Sequence, residues 1–551
     1  MKIVKRKTIL LITFGILFTL SLLISNNLNY NAGNSDKITD NNNLKISKIS
    51  GKIHIDNNWS YTEGNYSWCT GKGTYSEPYV IEDLVIDGGG SGSGILIENS
   101  NVFFRIENCT VYNSFRGIKL ERASNGSIIE NNCSNNNVIG IYLTNSCYNN
   151  TISRNIISSI ILGSFCCSNT IWDNIIYGGG GPGIGVGGSN NNIKGNNISD
   201  CKYGIHLLYS NNNTISGNTA NHNKEYGIYL EDLCNNNTIS NNTANYNEEY
   251  GIYLEDRCNN NIISGNTANY NNNYGIYLYY CDNLTISGNT ANNNTRGINF
   301  EYSSYNNVSG NTANYNGFSG IFLHGCDKNN ISGNTANYNT YGIHLVECHN
   351  STILENIMDE CGLVIYGSIE YLNSHNIDTS NLVNGKPLYY YTNEINLGPS
   401  NFTNAGQVIL VNCTDSFVSN LNVSYGSVGI SLCYCNDNTI SGNTANHNKG
   451  YGIYLSRDSN YNTISNNTAN YNEGGIFLWE SDFNTISGNT LIGNQKCWEE
   501  VDCDENIFEN NDCGYFRPAI PGYSLIFLLG ILSVIVSILI SKKIKQLGKL
   551  N

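Results

Sequence analysis

Charge is scarce. Asp, Glu, Lys and Arg make up 13% of the 551 residues, and 29 basic side chains face 44 acidic ones, for a net charge of -15. Phosphate binding needs clustered Lys and Arg, so nucleic acid is excluded as a partner. Methionine is scarcer still: there are two, and one is Met1. That leaves no thioether set for a soft metal. Helical spacing is also missing, because no stretch between Gly204 and Asn356 repeats apolar residues at i, i+3 and i+4. A leucine-rich horseshoe, whose repeat length is similar, is thereby excluded.

In place of these the chain carries a phrase: Gly-Ile-Tyr-Leu, Asn-rich turn residues, then Thr-Ile-Ser-Gly-Asn-Thr-Ala-Asn. Its opening glycine recurs at Gly204, Gly227, Gly251, Gly275, Gly297, Gly320 and Gly342, a step of 22 to 24 residues. Such a unit is too short to fold alone and must stack on its neighbours. Inside it Ile228 and Leu230 flank Tyr229, and Thr214 and Ser216 flank Ile215, a two-residue alternation that predicts short strands. The predicted fold is all-β: a right-handed parallel β-helix whose coils stack about 4.8 Å apart. An N-terminal cap and terminal hydrophobic helices complete the expectation.

Stacking converts equal positions into columns. Ile205, Ile228, Ile252, Ile276, Ile298, Ile321 and Ile343 form one, and Leu207, Leu230, Leu254, Leu278, Phe300, Leu323 and Leu345 another. Both are predicted to point inward. Asn218, Asn242, Asn266, Asn289, Asn311 and Asn334 are assigned to a sharp left-handed turn, with amides bonding along the column. A fourth column mixes thiol and hydroxyl: Cys147, Cys166, Ser210, Cys234, Cys258, Cys281, Ser303, Cys326, Cys348 and Cys435. These thiols read as small buried packing groups rather than ligands. Nineteen cysteines is an odd number, so at least one is unpaired in a monomer. Cys497, Cys503 and Cys513 fall outside the repeat, and one disulfide among them is expected to close the C-terminal end.

Along the chain, residues 1–25 pair a basic start with an apolar run, a cleaved signal or an uncleaved signal anchor. Residues 26–50 read as a polar linker, and 51–87, with Trp59, Trp68 and Cys69, as a cap over the first coil edge. Regular coils are expected over 88–369 and 429–495. Between them, 370–428 lack the phrase and read as coils with long loops. Residues 496–519 form a Cys-containing cap, 520–541 an apolar run long enough to span a bilayer, and 542–551 a basic tail that stays cytoplasmic. The solenoid is then displayed outside the cell, with the membrane as one partner and surface glycans or other surface proteins as the others. Asn-x-Ser/Thr sequons, among them Asn108, Asn125, Asn241, Asn350 and Asn466, add an expectation of glycosylation.

The two phrases, with Asn384-Gly385-Lys386-Pro387 and Tyr389 to Tyr391, resemble the NosD-like family of extracellular right-handed β-helix proteins, whose repeats are of the carbohydrate-binding and sugar-hydrolase class. The resemblance covers roughly Val80 to Asn494. The short cap and the membrane tail resemble archaeal surface proteins. The family's copper label finds one local candidate, His344, Cys348 and His349, and the repeat already accounts for the first two. Copper is therefore disfavoured.

Two constellations could carry function. Glu231 and Asp232 precede Glu255, Asp256 and Arg257 by one coil. Stacked carboxylates about 5 Å apart repel unless a proton or cation lies between them. This cluster is the candidate for a Ca²⁺ site or a catalytic acid pair, against the favoured reading of a solvated face with Arg257 as partner. The outward column of Tyr142, His206, Tyr229, Tyr253, Tyr277, Phe322, His344, Tyr454 and Phe477 could stack on sugar rings or simply on itself. Tyr229, Tyr253, Tyr277 and Phe322 are the ligand-binding candidates. The leading reading is a surface-anchored structural or binding module with glycans as ligand. The alternative is a polysaccharide lyase or hydrolase.

Overall fold

The computed structural model describes residues 48–514. The signal or anchor segment, nearly all of the linker, and the apolar run with its basic tail lie outside the described residues. Among the described residues no helix is long and apolar enough to cross a membrane.

The repeat winds into a parallel β-solenoid of three sheets. The Gly-Ile-Tyr-Leu strands stack into a 14-stranded sheet from Ile53–Asp56 to Leu363–Tyr366. The Thr-Ile-Ser strands form a 15-stranded sheet ending at Asn376–Ile377, and a third sheet of eight strands runs from Lys48–Ser50 to Thr219–Ala220. Single bridges from Thr219 through Thr243, Thr267, Thr290, Thr312 and Thr335 continue that third side. Register follows the predicted columns: Ile228 pairs with Ile252, Ile252 with Ile276, Leu230 with Leu254 and Leu254 with Leu278. All these side chains are fully buried. Burying each one contributes about 1.5–3 kcal/mol, and every coil supplies several. Glycine opens the phrase because a Cβ at Gly251 would lie 2.6 Å from the Gly275 carbonyl oxygen and 2.8 Å from Ala268 Cβ.

The Asn column points inward, which corrects its assignment to the left-handed turn. Positive φ falls one residue earlier, at Gly217, Asn241, Gly265, Gly288, Gly310 and Gly333. The Asn side chains are buried and bond along the stack. Asn242 N–H and Nδ2 both donate to Asn266 Oδ1, at 2.9 and 3.0 Å, and Asn266 does the same to Asn289. Two more inward ladders pass through Asn237 and Asn261 and through Asn247 and Asn271. The Cys/Ser column is buried throughout, and it bonds as well as packs: Cys234 N–H donates to Cys258 Sγ at 3.3 Å, and Cys281 N–H to Ser303 Oγ at 3.0 Å.

At the N-terminal end strand pairing starts earlier than expected. Lys48–Ser50 pairs with Leu84–Asp87, and Ile53–Asp56 with Ser93–Glu98. A short helix, Trp59–Asn65, follows. Trp59 stacks on Tyr79 and Phe104 and donates from Nε1 to Ser100 Oγ at 2.8 Å.

The region read as coils with long loops, 370–428, carries a joint between two stacks. Leu382–Val383 and Lys386–Thr392 pair antiparallel, with only Asn384 (φ 52°) and Gly385 (φ 71°) between them. Two successive positive φ values define the tight hairpin turn that Asn-Gly favours. Lys386–Thr392 then starts a new column through Gln407–Val411, Ile430–Cys433, Tyr451–Ser456, Gly474–Trp479 and Lys496–Val501. Much of the second stack has its own apolar core. Gln407 sews the two together, its Oε1 accepting from Leu363 N–H at 3.0 Å and its Nε2 donating to the Leu363 carbonyl at 2.8 Å. At the C-terminal end Cys497 and Cys513 form a disulfide, and Cys503 is free.

Candidate functional site

Outward side chains of the Gly-Ile-Tyr-Leu strands form a lattice of rings. Tyr229 stacks on Tyr253 with centroids 5.3 Å apart, and Tyr253 on Tyr277 at 4.9 Å. A second file, Tyr203, Tyr226, Tyr250 and Tyr274, stacks beside it and meets it obliquely or edge to face. The residues expected to receive sugars are thereby covered: Tyr229, Tyr253 and Tyr277 are 5%, 7% and 9% exposed. Phe322 is buried too, with the Arg296 guanidinium 3.8 Å from its ring centroid. Their flat faces are spent on one another, so this column is a packing surface.

The carboxylates do not act as one cluster. Glu231 and Glu255 stand on the strand face, whereas Asp232, Asp256 and Arg257 occupy left-handed turn positions. Glu255 accepts hydroxyl protons from Tyr229 on one oxygen and Tyr253 on the other. Glu231 likewise reaches back to the outward ring of the preceding coil, accepting from His206 Nε2 at 2.8 Å. Burial holds the His206 imidazole below its ordinary range, so Nε2–H donates to the carboxylate from a neutral ring. Burial, helped by the carboxylate neighbour, raises the Tyr229 and Tyr253 phenols. Asp256, Arg257 and Asp282 instead line a shallow surface depression of about 450 Å³ with Tyr280 and Tyr302. One residue of each predicted acidic pair thus lies on the strand face and the other at the turn, and only Asp256 reaches the depression.

A set of exposed rings was not foreseen. The third residue of Ala-Asn-Tyr-Asn sits at the outer turn with φ of +56° to +58°: His222, Tyr246, Tyr270, Asn293, Tyr315 and Tyr338. A ring there is costly for the backbone, since left-handed φ favours Gly or Asn. His222 stacks on Tyr246 and Tyr246 on Tyr270, both at 5.1 Å, and Tyr315 on Tyr338 at 4.8 Å. Tyr425, His447 and Tyr471 repeat the arrangement in the second stack. These rings are exposed or half-exposed. The signal that could have found them is the recurrence of Tyr or His where Asn would be easier.

This winding agrees with sequence comparison. Residues 158–280 match the family described as "Right handed beta helix region", and 258–378 and 366–514 match "Periplasmic copper-binding protein (NosD)". The chain is a right-handed β-helix protein. No curated protein matches its sequence. Solved structures similar to this β-helix protein include the A-module of the Azotobacter vinelandii mannuronan C-5 epimerase AlgE6, at 15% identity and TM-score 0.37, covering 55% of this chain and 84% of that one. The periplasmic alginate epimerase AlgG is 14% identical with TM-score 0.37, covering 61% and 84%. A PL6-family alginate lyase is 10% identical with TM-score 0.28, covering 85% and 100%. All are distant likenesses, and none bears on what this β-helix protein binds.

The one local candidate for the copper of the second family description does not come together. His344 lies on the outer face among Phe318, Phe322, Tyr341 and Tyr366. Cys348 points inward and donates to the Val346 carbonyl at 3.3 Å. His349 packs at a tilt against Tyr371, with ring centroids 4.3 Å apart. The three diverge, so they cannot share an ion. Among the described residues no three His, Cys, Asp or Glu side chains gather as a metal site.

Proposed function

We propose that this β-helix is displayed outside the cell on its C-terminal apolar segment and acts as a binding or structural module, with glycans as the ligand class. The observation that carries a non-catalytic role is Glu255. Both of its oxygens accept tyrosine hydroxyls inside a packed ring lattice, so the carboxylate is held by its own neighbours rather than turned out toward a substrate. A retaining pair needs two carboxyls facing one scissile bond about 5–5.5 Å apart, and Glu231 and Glu255 face different partners. The exposed turn rings support binding, since aromatic rows on a surface suit ligands with apolar faces.

The test incubates the full chain with a panel of polysaccharides while reducing ends and unsaturated products are followed. No turnover is expected. Turnover that disappears in Glu255→Gln would overturn the reading. The depression holding Asp256, Asp282 and Arg257 supports the second reading, a lyase or hydrolase, and Asp256→Asn in the same assay separates the two. Protease shaving of intact cells tests display: release of the solenoid is expected, and full protection would exclude it.

A further inference from the structure

The exposed ring ladder of the first stack has one missing rung. His222, Tyr246 and Tyr270 stack continuously, Tyr315 stacks on Tyr338, and between them the position belongs to Asn293. The backbone does not notice the change. Tyr270 N–H donates to the Asn292 carbonyl at 3.1 Å and Asn293 N–H to the Asn314 carbonyl at 3.1 Å, with φ within two degrees of its neighbours. Tyr270 and Tyr315 are therefore two inter-strand steps apart, about 9.6 Å along the stack, with an amide at the base of the gap where a ring would be.

We propose that this gap is a ligand slot, and that it takes one neutral pyranose ring of a glycan chain between the faces of Tyr270 and Tyr315. The inference rests on the glycan-binding reading above and gives it a place. Width selects the shape of the occupant. A flat aromatic ring touching both faces needs about 7 Å between them, at about 3.5 Å per contact, and would be loose. A saturated ring with C–H groups on both faces holds its carbons nearer 4 Å from each tyrosine and so needs about 8 Å or slightly more, within reach of a small tilt of the tyrosines.

Polarity selects the chemistry. On the three rungs concerned, the residues flanking the slot are Asn269, Asn292 and Asn314 on one side and Asn272, Thr295 and Gly317 on the other. None carries a charge. The Oδ1 atoms of Asn269, Asn292 and Asn314 accept backbone N–H groups of the next coil and the Thr295 hydroxyl donates to the Asn272 carbonyl, which leaves the three amide Nδ2 groups to donate to sugar hydroxyls, whereas nothing there would compensate a uronate in a chain of net charge -15. The exposure of Tyr270 and Tyr315, 49% and 57%, places both rings where a polymer can reach them from outside.

The experiment probes the full chain on an array of neutral and uronic-acid oligosaccharides, then titrates the best neutral ligand against variants. Asn293→Tyr fills the missing rung with the residue that Tyr246, Tyr270, Tyr315 and Tyr338 already show is tolerated at this backbone geometry, and is expected to abolish binding. Tyr270→Ala is expected to weaken it about tenfold, the worth of one aromatic face. Tyr246→Ala, one rung outside the slot, is expected to leave affinity within about twofold. Circular dichroism confirms folding, and Tyr315→Leu replaces Asn293→Tyr if that variant fails to fold. Neutral glycans bound equally well by Asn293→Tyr, or by Tyr315→Leu in its place, would overturn the slot while leaving the glycan reading standing. Binding confined to uronic acids or flat aromatic compounds would also overturn it. No binding to any glycan would overturn both.

Discussion

Replacing Asn266 with alanine tests the inward amide ladder where it is longest. The Asn266 side chain takes part in four hydrogen bonds. Its Oδ1 accepts from Asn242 N–H and Nδ2, and its Nδ2 donates to the Ile239 carbonyl and Asn289 Oδ1, all at 2.9–3.0 Å. Alanine removes all four. Asn242 Nδ2 keeps its bond to the Ile215 carbonyl, and Asn289 Oδ1 still accepts from Asn266 N–H, but Asn242 N–H loses its acceptor in a fully buried corner. The four lost bonds cost about 1 kcal/mol each and the orphaned buried donor about 1–3 kcal/mol more, so a loss of about 5 kcal/mol is expected. Because solenoids open locally, the assay is hydrogen exchange of the amides in the three coils around Asn266, read against Asn241→Gly at the exposed turn, which should change little. Aspartate is the sharper variant. Its carboxylate would accept from Asn242 yet face two oxygens that offer no proton, so its folded pKa is raised. The variant should then be least destabilised near pH 4 and lose stability as pH rises above the ordinary carboxylate value of about 3.9. Exchange protection in Asn266→Ala indistinguishable from the parent would refute the claim that the ladder holds the corners.

Other perturbations follow from the same geometry. Reduction of Cys497–Cys513, or Cys513→Ser, opens a 16-residue loop and should cost the last coil about 3 kcal/mol, read as proteolysis confined to residues 496–514. Cys258→Ser should be tolerated, since Ser303 fills the same column as an acceptor; Cys258→Val leaves Cys234 N–H unpaired and should cost about 2 kcal/mol by the same exchange measurement. Burial, with Arg296 second, lowers His344 to about 3 against about 6.5 when unfolded. The unfolded chain then takes up a proton that the fold refuses, so stability should fall as pH drops from 6.5 toward 3. His344→Phe should flatten that slope in pH-dependent melting, leaving the shares due to His375, which burial lowers to about 4, and to His206, which burial also lowers.

Ile228, Ile252 and Ile276 were legible because burial repeats at a fixed step, and a strict period in apolar residues has few other causes. The direction of Asn242 and Asn266 was not. Asparagine suits a left-handed turn and an inward ladder equally well, and only the neighbouring glycines, one position earlier, separate the two. Tyr246 and Tyr270 were overlooked because local preference argues against a ring at positive φ, so a repeated violation of preference was the information. Tyr229 and Tyr253 were expected to be open because an outward direction was equated with exposure; a second file of tyrosines, Tyr226 and Tyr250, covers them. The joint was hidden for a different reason. Asn384-Gly385 announces a hairpin, but that the hairpin passes the chain from one sheet to the start of another depends on pairing across the whole stack.

The inward amides also give the stack a direction in time. Asn218 depends on Asn242, and Asn242 on Asn266, for the acceptor that completes it, so each coil is finished only by the one synthesised after it. A chain leaving the ribosome would carry one layer of unanswered donors at its growing tip until the next layer arrives. At the far end Asn489 is answered by Asn511, two residues before Cys513. The last bond made would then be the disulfide that stops the tip from recruiting a stranger.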